Sequence, residues 1–223
     1  LFRSVELFDI RHMRPKLNVG SGKKRSGKRV LTVGTDCSVG KMYTSLALEA
    51  AMRAQGMKAD FRATGQTGIL VAGEGIAIDA VIADFIAGAA EALSPANDDD
   101  HWDIVEGQGS LFHPSYAGVS MGLIHGAQPH WLVMCHEMGR PHMRHLPHQP
   151  MVGLADCVEA NLRAAQVTSD NPQLAGFAIN TSHFSEEEAR DYCAQLSDTF
   201  GVPATDPVRF GIDAIATLLK ERG

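Results

Sequence analysis

The chain has 223 residues, 44% of them hydrophobic, and a net charge of −6. That supplies apolar material for one sizeable α/β core, while the acidic balance speaks against a nucleic-acid binder. No apolar stretch reaches the roughly 20 residues of a membrane helix, and no signal-peptide pattern opens the sequence. The four cysteines, at 37, 135, 157 and 193, form no CxxC pair, so reduced thiols in a cytoplasmic setting are expected.

The sequence begins with Leu1, which is expected of a piece of a longer chain. Val5–Ile10 alternates like a short strand. Residues 11–28, with Pro, Gly and closely spaced charges, have the character of an extended connection; the basic run around Lys23, Lys24 and Arg25 is expected to be solvated, with nucleic-acid contact as the alternative. Arg29–Val33 is a β-branched run ending at Gly34, the pattern of a buried strand. A helix over 41–55 follows, with Leu46, Leu48, Ala51 and Met52 as its apolar stripe and Gly56 just past its end.

The rhythm repeats. Strands are expected at 58–64, 102–105, 131–135 and 174–179, and helices at 76–93, 115–124, 156–165, 185–199 and 209–221. Gly65–Gly68 is expected to be a glycine-rich turn and 95–100 an acidic surface loop. Strands alternating with helices imply βαβ units and a doubly wound, mostly parallel sheet. Ligands bind such sheets at the carboxyl ends of the strands, which makes 34–41, 64–68, 106–113, 136–140 and 180–183 the candidate site.

The segment Gly34-Thr35-Asp36-Cys37-Ser38-Val39-Gly40-Lys41 carries the strongest signal. A strand, a glycine turn and a helix opening at Gly40-Lys41 offer backbone N–H groups and a helix N-terminus to a phosphate, with Lys41 as a point charge. The expected architecture is therefore a P-loop NTPase-like three-layer α/β sandwich over residues 29–223, preceded by a connecting segment over 1–28. The spacing Gly-x5-Gly-Lys is one residue longer than the common phosphate loop. Met42 stands where a Mg²⁺-holding Ser or Thr is usual, which disfavours γ-phosphoryl transfer.

Glu106, at the end of a strand beside this loop, is a candidate for proton transfer or metal binding, and Gly107 and Gly109 allow close backbone approach. His113 is a candidate general base. Arg140 either clamps a substrate carboxylate or phosphate or pairs with Glu137 on the surface. Gln66, Thr67 and Gly68 offer a substrate contact or a simple turn. Asn180 is placed to read an adenine edge. Eight of the ten histidines fall between 101 and 148, but the prolines around His142, His145 and His148 oppose a helix. No cysteine joins them at zinc-ligand spacing, so no structural zinc is expected, with an adventitious metal on the loop as the alternative.

Together these motifs bear a resemblance. Gly34-Thr35-Asp36 with Val39-Gly40-Lys41, and Val105-Glu106-Gly107, are similar to motifs of dethiobiotin synthetase-like P-loop enzymes, in which Asn180 matches an adenine-contacting Asn. The chain resembles the DUF1611 family more closely, through Val33–Cys37 with Val39–Met42, Gly65–Gly68, Glu106–Ser110 with His113-Pro114, and His136 with Gly139-Arg140. Asp9-Ile10-Arg11 is similar to that family's inter-domain connection. The resemblance implies an upstream Rossmann-like domain, of which residues 1–28 would hold a remnant. It also implies acetyl-CoA-dependent N-acetylation of an acidic amino acid, D-glutamate.

On that reading, residues 34–42 and Asn180 bind acetyl-CoA, and Glu106 or His113 deprotonates the substrate ammonium. Backbone N–H groups at Gly107–Gly109 meet the oxyanion, and Gln66, Thr67, Gly68, Gln108, Ser110, His136 and Arg140 line the substrate. The alternatives are an ATP- and Mg²⁺-dependent ligase or kinase and a non-catalytic nucleotide-binding regulatory domain. A small-molecule substrate, no nucleic-acid or membrane partner, and a homo-oligomer are expected.

Overall fold

The computed structural model describes residues 17–223; the expected strand at Val5–Ile10 and the Asp9-Ile10-Arg11 connection lie outside the described residues. Six strands form one sheet: β1 (Lys28–Gly34), β2 (Lys58–Arg62), β3 (His101–Val105), β4 (Trp131–Glu137), β5 (Gln173–Asn180) and β6 (Ala204–Thr205). Their order is β2-β3-β1-β4-β5-β6, and every pairing is parallel. The helices are α1 (Lys41–Ala54), α2 (Gln66–Ala72), α3 (Ile86–Leu93), α4 (Ala117–Ala127), α5 (Leu154–Ala165), α6 (Glu186–Phe200) and α7 (Asp213–Arg222). This is a three-layer α/β fold.

Alternation along the strands builds two cores. Leu31 and Val33 of β1, with Leu132 and Met134 of β4, face α3, α4, α5 and α6. Val30, Val133 and Cys135 face α1 and α7 on the other side, against Leu48, Met52, Ile215 and Leu219. Each fully buried Leu or Ile contributes roughly 1.5–3 kcal/mol.

Three expectations are corrected. Gly65–Gly68 is the start of helix α2 rather than a turn: Gly65 is its extended N-cap, and the Glu106 carboxylate accepts the N–H groups of Thr64 and Gly65 just ahead of it. The single helix expected over 76–93 is continuous only from Ile86, after two short 3₁₀ turns. The backbone of the earlier part pairs elsewhere, since the Ile76 and Ile78 N–H groups donate to the Ala63 and Thr64 carbonyls at 3.1 and 3.0 Å. The last helix begins at Asp213 rather than 209, because Asp206 Oδ1 accepts the Val208 and Arg209 N–H groups and folds 206–209 into a turn.

Residues 17–27 have no helix or strand but pack onto the domain. The Ser21 N–H donates to the Glu91 carboxylate at 2.9 Å. Arg29, 1% exposed, donates to Ser94 Oγ and to the carbonyls of Arg25, Ser26, Gly27 and Pro95. α3 lies against glycines of α4, where a Cβ on Gly126 would sit 2.1 Å from the Ala87 carbonyl oxygen. Backbone cannot retreat as a flexible side chain can, so Gly126→Ala is expected to lower stability by about 3 kcal/mol, read as the urea midpoint and m-value.

Candidate functional site

The loops at the carboxyl ends of β1, β2, β3, β4 and β5 converge on the segment 34–41. Gly40 caps α1 in the left-handed region, at φ 96°, and Ser38 lies there as well, at φ 52°. The N–H groups of Ser38 and Gly40 meet no acceptor among the described residues, which leaves donors for an anion at the positive end of the α1 dipole. Lys41 is buried, and its Nζ donates to the Asp36 carbonyl at 2.8 Å. Burial pulls its pKa below the usual lysine value, opposed by Cys135, Cys37 and Asp36. Gly34 is required for close approach, because a Cβ there would meet the Asp36 carbonyl oxygen and Val39 Cγ2, each at 2.9 Å. Met42 packs towards the small apolar cluster of Phe61, Ala63, Ile69 and Ala77; it brings no oxygen to the loop.

Asp36 is fully buried and organises the loop. Its Oδ1 accepts the Cys37 N–H, and its Oδ2 accepts Arg140 Nη1 and the Arg144 N–H, all three at 2.7 Å. Burial raises its pKa, but the hydrogen bonds from Arg140, Cys37 and Arg144 outweigh that and hold the carboxyl below its usual range. The Arg140 guanidinium also donates to the carbonyls of Cys37 and Ser38, and pairs with Glu137. The pairing with Glu137 is one of the two readings the sequence offered; the remaining contacts commit the guanidinium to the loop's own architecture.

Glu106 is 4% exposed. Its Oε2 accepts the Thr64 and Gly65 N–H groups at 2.9 and 3.0 Å, and a Cβ on Gly68 would come within 2.4 Å of that oxygen. Burial raises its pKa, opposed by these hydrogen bonds and by the charge of Lys41. Gly107, expected among the oxyanion donors, gives its N–H to the Thr32 hydroxyl at 2.9 Å. The Gly109 N–H meets no acceptor among the described residues.

Beside the loop lies a cavity of about 350 Å³, lined by Cys37, Lys41, Gln108, Gly109, His113 and Tyr116, among others. His113 is 3% exposed and rests on Tyr116 with ring centroids 4.5 Å apart. Its Nδ1 accepts the Ser115 N–H and its Nε2 faces the Arg144 carbonyl, both at 3.2 Å. That network makes Nε2 the protonated nitrogen and Nδ1 the basic one. Asp36, Cys37 and His113 bring a carboxylate oxygen, a thiol and a ring nitrogen within 4.8 Å of one another. The hydrogen bonds already made by Asp36 and His113 would have to be broken before a metal could use them.

A second cleft, of about 200 Å³, lies on the other side of the loop and is lined by Gly40, Tyr43, Asn180, Ser182, Val208 and Arg209, among others. Asn180 lines it, with its side-chain oxygen accepting the Ser182 N–H at 3.1 Å.

The remaining candidates separate. Gln108 lines the cavity and donates to the Thr64 hydroxyl at 3.0 Å. Ser110 and His136 lie beneath the loop, bonded to the Thr35 carbonyl and hydroxyl respectively, each at 3.0 Å. Burial, helped by the charge of Arg140, lowers the His136 pKa to about 4, so it is neutral at physiological pH. Gln66 and Thr67 are exposed on the first turn of α2. Sequence reading missed Tyr116, Arg144, Tyr43 and Arg209. Tyr116, close after His113, had a local signal; Arg144 reaches the cavity only through the fold of a proline-rich loop.

A parallel sheet with a glycine-bounded loop entering a helix through Gly40-Lys41 defines a P-loop α/β domain. The chain belongs to the DUF1611 family: the family model described as "Domain of unknown function (DUF1611_C) P-loop domain" matches residues 18–216. It is 56% identical over 216 residues to a D-glutamate N-acetyltransferase of Pseudoalteromonas sp, covering 97% of this chain and 65% of that protein. It is 51% identical to one of Tritonibacter scottomollicae, covering 95% of this chain and again 65% of the relative. The chain thus spans just under two thirds of the length of these relatives. The crystal structure of a DUF1611 family protein from Anabaena variabilis superposes with a TM-score of 0.89 at 38% identity, covering 96% of this chain and 64% of that one. Cobyrinic acid a,c-diamide synthase from Mycobacterium smegmatis, with bound ATP analogue and magnesium, shares the fold alone, at TM-score 0.52 and 15% identity over 86% of this chain and 92% of that one.

Asp36→Asn removes a buried charge from three donors and is expected to cost about 3 kcal/mol at pH 7. The folded pKa of Asp36 is depressed, so its contribution is complete above the ordinary value near 3.8 and is lost as pH falls through the folded value. Unfolding midpoints between pH 7 and 2 should therefore fall less on acidification in the variant than in the parent.

Proposed function

We propose that this domain is the acetyl-CoA-binding and acetyl-transferring part of an enzyme that N-acetylates D-glutamate. The observation that carries the reading is the phosphate loop whose helix begins Lys41-Met42, flanked by two clefts. The loop suits a diphosphate, while Met42 denies it the hydroxyl that would hold Mg²⁺ for phosphoryl transfer. The names of the two curated relatives point to the same reaction.

The coenzyme A diphosphate would be held by the free N–H groups of Ser38 and Gly40 and by Lys41 turning from the Asp36 carbonyl. Adenosine would take the cleft at Tyr43 and Asn180, and the thioester would enter the cavity at His113. Acetyl-CoA supplies the activated acyl group. Only the neutral amine of the amino acid attacks its carbonyl, so a base must first take the ammonium proton.

His113 Nδ1 is that base in our reading, exchanging the long contact from Ser115 for the substrate proton. The Gly109 N–H would stabilise the oxyanion, whose collapse breaks the thioester C–S bond and expels the coenzyme A thiolate, which takes back the proton that His113 accepted. Glu106, sealed against α2, would place a carboxylate within electrostatic reach of Lys41. Arg140 acts through Asp36 by fixing the loop.

The test is thiol release from acetyl-CoA by the full-length protein, with D-glutamate, L-glutamate or no amino acid, each with and without Mg²⁺. Release that requires D-glutamate and is indifferent to Mg²⁺ is expected; no release with any amino acid would overturn the reading. His113→Ala is expected to lower kcat by about 10²–10⁴-fold while leaving acetyl-CoA affinity, measured by calorimetry, nearly unchanged.

A further inference from the structure

At the amino ends of the strands a second polar cavity, of about 230 Å³, opens between the 24–29 segment, the end of α4 and the α5–β5 connection. The seven residues of β1 separate it from the phosphate loop, a distance of roughly 20 Å at the rise of an extended strand. Lys24, Arg25 and Arg29 line it, and Asp170 is the carboxylate on its wall.

The three cations are not equivalent. Arg29 is saturated by Ser94 Oγ and four carbonyls. Lys24 pairs with Asp170 at 2.8 Å and donates to the Thr168 carbonyl at 2.9 Å. Arg25 is different. Its Nη2 donates to the Gly126 and Ala127 carbonyls at 2.6 and 3.2 Å, but its Nε and Nη1 are buried and meet no acceptor among the described residues. The Thr168 and Ser169 hydroxyls are in the same condition, and Ser169 is only 8% exposed.

Buried donors left unmet are costly, and a buried guanidinium more so. Burial first, then the charge of Arg29, brings the Arg25 pKa down to about 10, opposed by Glu91 and Asp103, neither of which reaches Nε or Nη1. His130 is held neutral by burial and by the nearby Arg29, Lys24 and Lys28. Its Nδ1 accepts the Arg29 N–H at 3.1 Å, which leaves a further donor at Nε2.

We propose that this cavity binds a small oxyanion, of the phosphate or carboxylate class, through Arg25, Ser169 and Thr168, as a site separate from the phosphate loop.

The test is a ¹⁵N–¹H NMR titration of the chain with inorganic phosphate and, in a parallel arm, glutarate, against sodium chloride at matched ionic strength. Saturable shifts of the Arg25, Ser169 and Asp170 amides, independent of those in 34–41, are expected. The stronger arm identifies the oxyanion class. Arg25→Gln should weaken the far-end response at least tenfold while the 34–41 amides still respond, which doubles as the control for folding. Ser169→Ala should weaken it several-fold, and decides the matter if Arg25→Gln does not fold. Shifts confined to 34–41, far-end shifts reproduced by chloride, or undiminished far-end affinity in the variants would overturn the proposal.

Discussion

The buried carboxylate of Asp36 is the interaction on which the site depends. It lies in the loop ahead of Lys41, and both its oxygens are engaged by protein donors. Its three donors come from its own loop, from the segment after β4 and from the 141–150 loop. A carboxylate with no solvent contact is tolerated only when its oxygens are met and its charge is opposed, and Arg140 does both. Because Arg140 also reaches the Cys37 and Ser38 carbonyls, one ion pair fixes the curvature of the phosphate loop and the position of the wall bearing Arg144. The backbone of the phosphate loop is thus held in place by contacts distant in sequence.

A second carboxylate, Glu106, arranges the neighbouring side in the same manner. It ends β3, draws in the N–H groups at the start of α2, and requires glycine at Gly68 because a methyl group would collide with its oxygen. Two strand-end acids therefore shape the rim of the site, and both act first on protein backbone. The residues that line the cavity itself include others, among them His113, Tyr116 and Gln108.

Much of this was legible in the sequence. The β-branched run before Gly34, the periodic helix after Lys41 and the repeated alternation implied the parallel sheet, and the strand-end rule placed the candidate residues on one rim. Glu106 and His113 were visible as chemistry-bearing residues by type and position. The helical start at Gln66 was not, because Gly65-Gln66-Thr67-Gly68 has turn composition and becomes helix only where Glu106 supplies acceptors for the preceding N–H groups. Nor was the break in 76–93, where apolar content suggested one helix but the backbone of Ile76 and Ile78 bonds to the end of β2.

The sequence by itself determined the class of fold, the phosphate loop and the absence of a hydroxyl at Met42, because these follow from local periodicity, glycine placement and side-chain identity. Only the tertiary structure decided what each polar residue faces. Arg140 turned to Asp36, Ser110 and His136 went beneath the loop, and Arg25, in a stretch that looked like a solvated connection, came to line a cavity at the far end of the sheet with Arg29 from the start of β1. The reason is physical: a side chain's partner is set by which elements the sheet order brings together, and β4 meets β1 across roughly 100 residues of chain.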